Sequence, residues 1–324
     1  MENRWFYILI FTLFCTACQK DIDLPPIQLV ECKVMPEPVA AGNCFTYNND
    51  IYLFGGRTED GKYSNKLWKY DPSTNEWELL SVSPLQPRVS ASACIVGDCA
   101  YIGLGFAGHL HKDSSYLRDL WQYNFLTTEW KRLDDFPANN TVKNCFFATE
   151  DHIYSLYGFY RQFTQDVYRY DIAQNKWEKM SIETSQGIPR AMDVVGASCQ
   201  GRYFLGTGFN HGSLRFWAEW DPDLCELIPR KKILGAGRNA ASCCASEEYV
   251  YIAGGRYYGD NQGSGFLYNN IQRYTPETNE WNYVGNMPYE AENLVSIAIN
   301  GEIYIGLGET IDGHIANKWY KFEE

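Results

Sequence analysis

Basic charge is in short supply in this chain. Its 28 Lys and Arg face 40 Asp and Glu, giving a net charge of −12 and a pI near 5.0. That balance argues against nucleic acid or an anionic membrane surface as a partner, because both are bound through clustered cations. A membrane-spanning run is missing as well. The apolar stretch over residues 5–14 is about half of the ~20 residues a bilayer needs. The glycine-rich segment 259–265 has neither the Lys nor the strand-to-helix setting of a phosphate loop. No nucleophile triad emerges, and the only tight histidine spacing is His109-x-His111, so the sequence calls for no cofactor and no metal. Nine cysteines follow Cys18, an odd number. Cys44, Cys94, Cys145 and Cys243 stand beside Ala and Ser, near the start of repeated segments. There they are expected to act as small apolar fillers rather than as disulfide partners. Cys94 and Cys99 flank one turn and form the single pair for which a bridge is considered.

What is present is a repeat. The second glycine of Gly55-Gly56 recurs as Gly105, Gly158, Gly208, Gly255 and Gly308, at steps of 49, 53, 50, 47 and 53 residues. An aromatic series follows it: Tyr70, Tyr123, Tyr170, Trp220, Tyr274 and Phe322. Trp77, Trp130, Trp177 and Trp281 each come seven residues after their tyrosine. Three markers in register at a period near 50 indicate one unit of four antiparallel strands copied six times. Two-residue hairpins fit this, notably Asn300-Gly301 between two alternating apolar runs. Aromatic content of 16 % suits sheets packed face to face.

The glycine pairs, the Tyr70/Trp77 spacing and the dipeptides Pro87-Arg88, Pro189-Arg190 and Gly237-Arg238 resemble the kelch family over roughly residues 27–324. The resemblance implies an all-β fold, a six-bladed kelch-type β-propeller. Several blades depart from the pattern. Blades 2, 4 and 6 carry Gly-x-Gly, and blade 3 keeps only Gly158. Blade 4 reads as shortened after Trp220, with Cys225-Glu226-Leu227-Ile228 where Trp77-Glu78-Leu79-Leu80 stand in blade 1. The chain stops where blade 6 needs its fourth strand. Trp77, Trp130 and Trp281 each precede a proline by seven residues, and seven before Pro36 is Leu29. An N-terminal strand around residues 28–35 is therefore expected to close blade 6.

Before the ring come residues 1–17, which read as a lipoprotein signal peptide with cleavage before Cys18. Residues 18–26 would form a tether, and 27–324 the propeller. Cys15 stands where such signals usually carry Leu, and an ordinary cleaved signal peptide remains the alternative. Gln19-Lys20-Asp21-Ile22-Asp23 looks like the charged tag of surface lipoproteins in the Bacteroidetes group. The expected location is thus the cell envelope, as an outer-membrane lipoprotein exposed at the surface, touching membrane only through the lipid on Cys18.

Meander geometry sends the loop between the second and third strands of every blade to one face. These loops, at 57–65, 106–119, 159–165, 209–215, 256–270 and 309–317, are long and irregular, where binding is usually placed. They hold His109, His111, His211 and His314, and the aromatics Phe159, Tyr160, Phe209, Tyr257, Tyr258 and Phe266. Arg88, Arg190 and Arg238 are expected to ring the channel mouth, with Arg57 and Arg256 just after glycine pairs. Such a ring would suit a carboxylate, unless the arginines pair with loop acids such as Glu59, Asp193 and Asp260. The candidate ligand-binding residues are Arg57, Arg88, Arg190, Arg238, Arg256, Tyr257, His109 and His211. Kelch relatives include a copper oxidase, whose ligand set does not map here, and a sialic-acid mutarotase, for which Glu290 and Glu292 are the available acids. The functional expectation is a binding module for a protein or glycan, without catalysis. The alternative is a mutarotase for an acidic sugar.

Overall fold

A computed structural model describes residues 26–184, 187–259 and 265–323. Six four-stranded antiparallel sheets follow one another along the chain. Their first strands are Asn43–Tyr47, Ser92–Val96, Val142–Ala148, Val195–Cys199, Ser242–Ala245 and Val295–Ile299. In blades 1 to 5 each sheet runs in sequence order from the inner strand to the outer one. A short strand, Glu183–Thr184, adds to blade 4 in parallel with its outer strand. The chain is thus the expected six-bladed propeller.

There is no single core. Six apolar clusters each fill the wedge between two neighbouring blades. Flat rings suit such wedges: Trp217, Trp220 and Trp319 are all but sealed from solvent. The six glycine sites explain why the repeat is legible on the second glycine and ragged on the first. The first position is left-handed in every blade, and Leu104, Tyr157, Thr207 and Leu307 adopt it at φ 55–64°. That is a tolerable strain. At the second position a Cβ would meet a backbone carbonyl, 2.2 Å from Asn140 O at Gly158 and 2.5 Å from Met192 O at Gly208. Only glycine fits there.

In blade 4 the expected shortening is absent. Leu227, not Cys225, pairs with Trp220, at the same seven-residue spacing as Trp77 with Tyr70. Cys225 instead occupies the left-handed turn position that Asn75 holds in blade 1.

Blade 6 is closed by the N-terminus. Val30–Glu31 pairs antiparallel with Trp319–Glu323, Val30 opposite Lys321 and Glu31 opposite Tyr320. Leu29 and Ile27 pack on the cluster that holds Tyr320 and Phe322. The ladder is shorter than the expected 28–35. Beyond it, only Cys32 N–H to Trp319 O (2.8 Å) and Met35 N–H to Asn317 O (3.3 Å) continue the pairing. The reason is the next residue. Lys33 is drawn to blade 1, where its N–H donates to Asn75 Oδ1 (2.7 Å) and its carbonyl accepts from Trp77 Nε1 (3.1 Å). The same two-ended grip recurs twice. Asp134 is held by Asn175 and Trp177, and Lys231 by Asn279 and Trp281, at 2.9–3.2 Å. Each asparagine is left-handed and also accepts from the hydroxyl of its own blade's tyrosine, Tyr70, Tyr170 or Tyr274. Blade 2 has Thr128 at that position, and its Trp130 Nε1 is buried without a partner among the described residues.

Cys94 and Cys99, the one pair considered for a bridge, are both free thiols. Cys44, Cys145 and Cys243 line the central shaft as expected. Like them, Cys94 packs into an inter-blade wedge, that between blades 2 and 3, but it is not among the residues lining the shaft. Burial pushes the Cys145 thiol up to about 12, so it stays protonated and inert.

Candidate ligand-binding face

The residue after the second glycine of each repeat sits on the rim of the long-loop face. Around the ring these are Arg57, Phe106, Phe159, Phe209, Arg256 and Glu309. Each pairs through its backbone with the segment leading into a first strand, at Ala40, Val89, Val142, Met192, Asn239 and Glu292. The next residue inward is left-handed in all six blades: Ala41, Ser90, Lys143, Asp193, Ala240 and Asn293. These residues form a collar at the shaft mouth, linked blade to blade by backbone hydrogen bonds. Ser90 N–H donates to Ala41 O, Ala41 N–H to Asn293 O, and Asn293 N–H to Ala240 O, at 2.7–3.0 Å. Beneath the collar lies a cavity of about 410 Å³.

The arginine ring expected at this mouth does not form. Arg88 is fully buried. Its guanidinium grips Asp119 bidentately at 2.7 and 2.8 Å and donates to Leu104 O. Arg238 takes the same place in blade 5, 1 % exposed, donating to Gly254 O and Asn270 Oδ1 beneath the Tyr268 ring. Burial pulls its guanidinium down to about 10, which still leaves it charged. Both arginines are pins inside the fold. Arg190 differs because of one extra residue. The collar residue follows Arg88 and Arg238 by two positions but follows Arg190 by three, so Ala191 takes the buried place and Arg190 is exposed. Among the described residues Arg190 makes no ion pair.

Arg57 and Arg256 are neutralised in place by acids other than Glu59 and Asp193; Asp260 lies outside the described residues. Arg256 binds Glu292 through two hydrogen bonds of 2.9 and 2.6 Å, and Arg57 pairs with Glu309. Asp193 pairs with Lys143, and Glu59 with His314 at 2.7 Å. Glu290 is exposed. His109 and His211 are exposed in their loops, His211 edge-on to Phe163 at 5.3 Å. No group of three His, Cys, Asp or Glu among the described residues could hold a metal ion. Tyr257 packs on Phe266 at 5.2 Å, on an arm standing off the rim.

Two features escaped sequence reading. One is that the expected loop aromatics Phe159, Tyr160, Phe209 and Tyr258 are joined into an arc over blades 2 to 5 by Phe106, Tyr116 and Phe163: Phe106 packs on Tyr116, Tyr116 on Tyr160, and Phe163 between Phe159 and Phe209, which meets Tyr258. Tyr116 and Phe163 carry no repeat spacing. The other is Lys143, whose ammonium reaches Asn293 Oδ1 (2.8 Å) on the opposite blade and Asp193 Oδ1 (3.1 Å) beside it. A lysine within a strand gives no sign that it crosses a channel.

The Arg88–Asp119 pin sets a pH dependence. Burial alone would raise the Asp119 carboxyl, but the hydrogen bonds and charge of Arg88 outweigh it and bring the group below its ordinary value. A lowered folded value means the contribution is present above the unfolded carboxyl range, about pH 4, and is lost as pH falls through the folded value. Asp119→Asn should therefore cost roughly 1–3 kcal/mol at neutral pH. Thermal melting across pH should show the gap from wild type closing below about pH 4.

Comparison with known proteins agrees with this architecture. Residues 24–207 match the model of the KLHDC2/KLHL20/DRC7 Kelch-repeats domain, and residues 237–288 match the Kelch motif. Kelch-like protein terF of Aspergillus terreus is 24% identical over 288 residues, covering 86% of this chain and 51% of that protein. The N-acetylneuraminate epimerase of Pasteurella multocida is 26% identical over 235 residues, covering 67% and 54%. The chain thus spans about half the length of these curated relatives. The solved structure of YjhT superposes with a TM-score of 0.75 at 14% identity, covering 90% of this chain and 99% of that one. With over half of its length matched by a single family model, the chain belongs to the kelch-repeat family.

Proposed function

We propose that this propeller is a binding module whose long-loop face holds a protein or glycan ligand without catalysis. The observation that carries the reading is the pairing of rim charges. Arg57, Arg256 and Lys143 each already face a carboxylate, and the glutamates that could act as acid or base at the mouth, Glu292 and Glu309, are tied up in those pairs. A general base held by an arginine fork is a weak one. Aromatic rings beside polar groups supply contact area instead, suited to a sugar face or a protein anchor.

A second reading has support of its own. Relatives named N-acetylneuraminate epimerase recur among the similar proteins, and Arg190 is an exposed cation with no ion pair among the described residues. It would make the protein a mutarotase for an acidic sugar. The purified protein should leave the anomeric exchange of N-acetylneuraminate at its buffer rate. Exchange well above that rate, abolished in Arg190→Ala, would overturn the binding-module reading.

The module is further proposed to be anchored to the outer membrane through lipid on Cys18. The signal, tether and Cys18 themselves lie outside the described residues. Three acyl chains at ~0.8 kcal/mol per buried CH₂ hold such an anchor firmly. In cells, wild type should partition into detergent and incorporate labelled palmitate, and Cys18→Ala should do neither. Equal labelling of both would remove the anchor.

A further inference from the structure

Lys143, Asp193 and Asn293 come from blades 3, 4 and 6 and meet over the shaft mouth. The Lys143 ammonium spends two N–H groups on Asp193 Oδ1 and Asn293 Oδ1. Asn239 Nδ2 approaches the other Asp193 oxygen at 3.4 Å. The side chains of Lys143 and Asp193 remain 22% and 16% exposed, and Lys143 and Asn293 line the cavity below. We propose that this trio is a hydroxyl-recognising subsite, and that the ligand of the long-loop face is a neutral sugar. The inference rests on reading that face as a binding surface.

The argument is one of hydrogen-bond type and charge. An ammonium keeps a third N–H, and a carboxylate has about four acceptor sites, of which few are used here. The mouth therefore offers a donor and acceptors within a few ångströms of each other. A hydroxyl is both donor and acceptor and can satisfy the two at once. An anion would match the donor and be repelled by Asp193; a cation would match the acceptors and be repelled by Lys143. Because the pair cancels its own charge, it does not call for a charged guest. The cavity of about 410 Å³ is within the range of small-ligand sites. An aromatic cluster starts one residue from Asp193 along the chain: Met192 pairs through its backbone with Phe209, whose ring meets Phe163 and Tyr258. Flat rings beside a donor–acceptor pair fit the two kinds of surface that a pyranose presents.

The test is calorimetric titration of the full chain with methyl α-mannoside, methyl β-galactoside, methyl β-glucoside and N-acetylneuraminate. Wild type should bind at least one neutral glycoside more tightly than the acid. Asp193→Asn leaves the Lys143 charge uncompensated. It should weaken the neutral glycoside about tenfold, the loss expected for one hydrogen bond to a charged group, and strengthen the acidic sugar. Asn293→Ala, on the opposite blade, should weaken the neutral sugar without favouring the acid, and it decides the matter if Asp193→Asn does not fold. A wild type that binds none of the three glycosides, or prefers the acid, overturns the subsite, as do variants that keep wild-type affinity. A protein captured on the loop face in place of any sugar overturns it too, while leaving the binding-module reading intact. Anomeric exchange would count against that reading instead.

Discussion

The ring depends on a grip at one residue. A propeller closes only if its last blade is fastened to its first, and here the fastener is Lys33. Its N–H and carbonyl are both taken by blade 1, through Asn75 and Trp77, while the residues just before it complete blade 6. The N-terminal segment is thus shared between the two blades it joins. Buried Cys32 and Met35 fill the wedge behind it. Asp134 and Lys231 show that the device is general to the fold: the chain leaving blade 2 or 4 is gripped in the same way by blade 3 or 5. Alternate seams are clasped, and the seams between rely more on apolar packing and on pins such as Arg88.

Once the scaffold is rigid, the loop face can be read as a surface with fixed charges. Arg57, Arg88, Arg238, Arg256 and Lys143 are spent, while Arg190 stays exposed. Some are drawn into the fold, as Arg88 and Arg238 are, and others are matched across the seams between blades 5, 6 and 1. The proposed ligand would meet the half-buried rings Phe159, Tyr160, Phe163, Phe209 and Tyr258 and the self-neutral trio at the mouth. Stacking and paired hydrogen bonds are the chemistry on which the proposed binding reading rests.

Much of the fold was legible from the sequence because the repeat constrains backbone, not surface. The second glycine must be glycine wherever the collar carbonyl approaches it, so all six survive and count the blades. Leu29 was found by carrying the Trp-to-Pro spacing across the ring closure, and it packs against Phe322 and Tyr320 as that spacing implied. The clasp asparagines were visible only as turn residues; that each also holds the preceding segment depends on a contact with a residue 41–48 positions away in the sequence. The site was far less legible. Arg88, Arg190 and Arg238 look alike in sequence, and a single extra residue before Asp193 turns one outward while the others stay buried. Lys143 and Asn293, 150 residues apart, meet only because blades 3 and 6 lie opposite each other. Side chains that converge across a ring leave no local spacing to find.

The measurement closest to the central claim is residue-resolved amide hydrogen exchange on the intact protein. If the N-terminus is a true part of the ring, the amides of Cys32 and Lys33 should exchange as slowly as those of Asp134 and Lys231, which sit in the equivalent grips. Exchange of Cys32 and Lys33 at the rate of an open chain, with Asp134 and Lys231 still protected, would contradict the account.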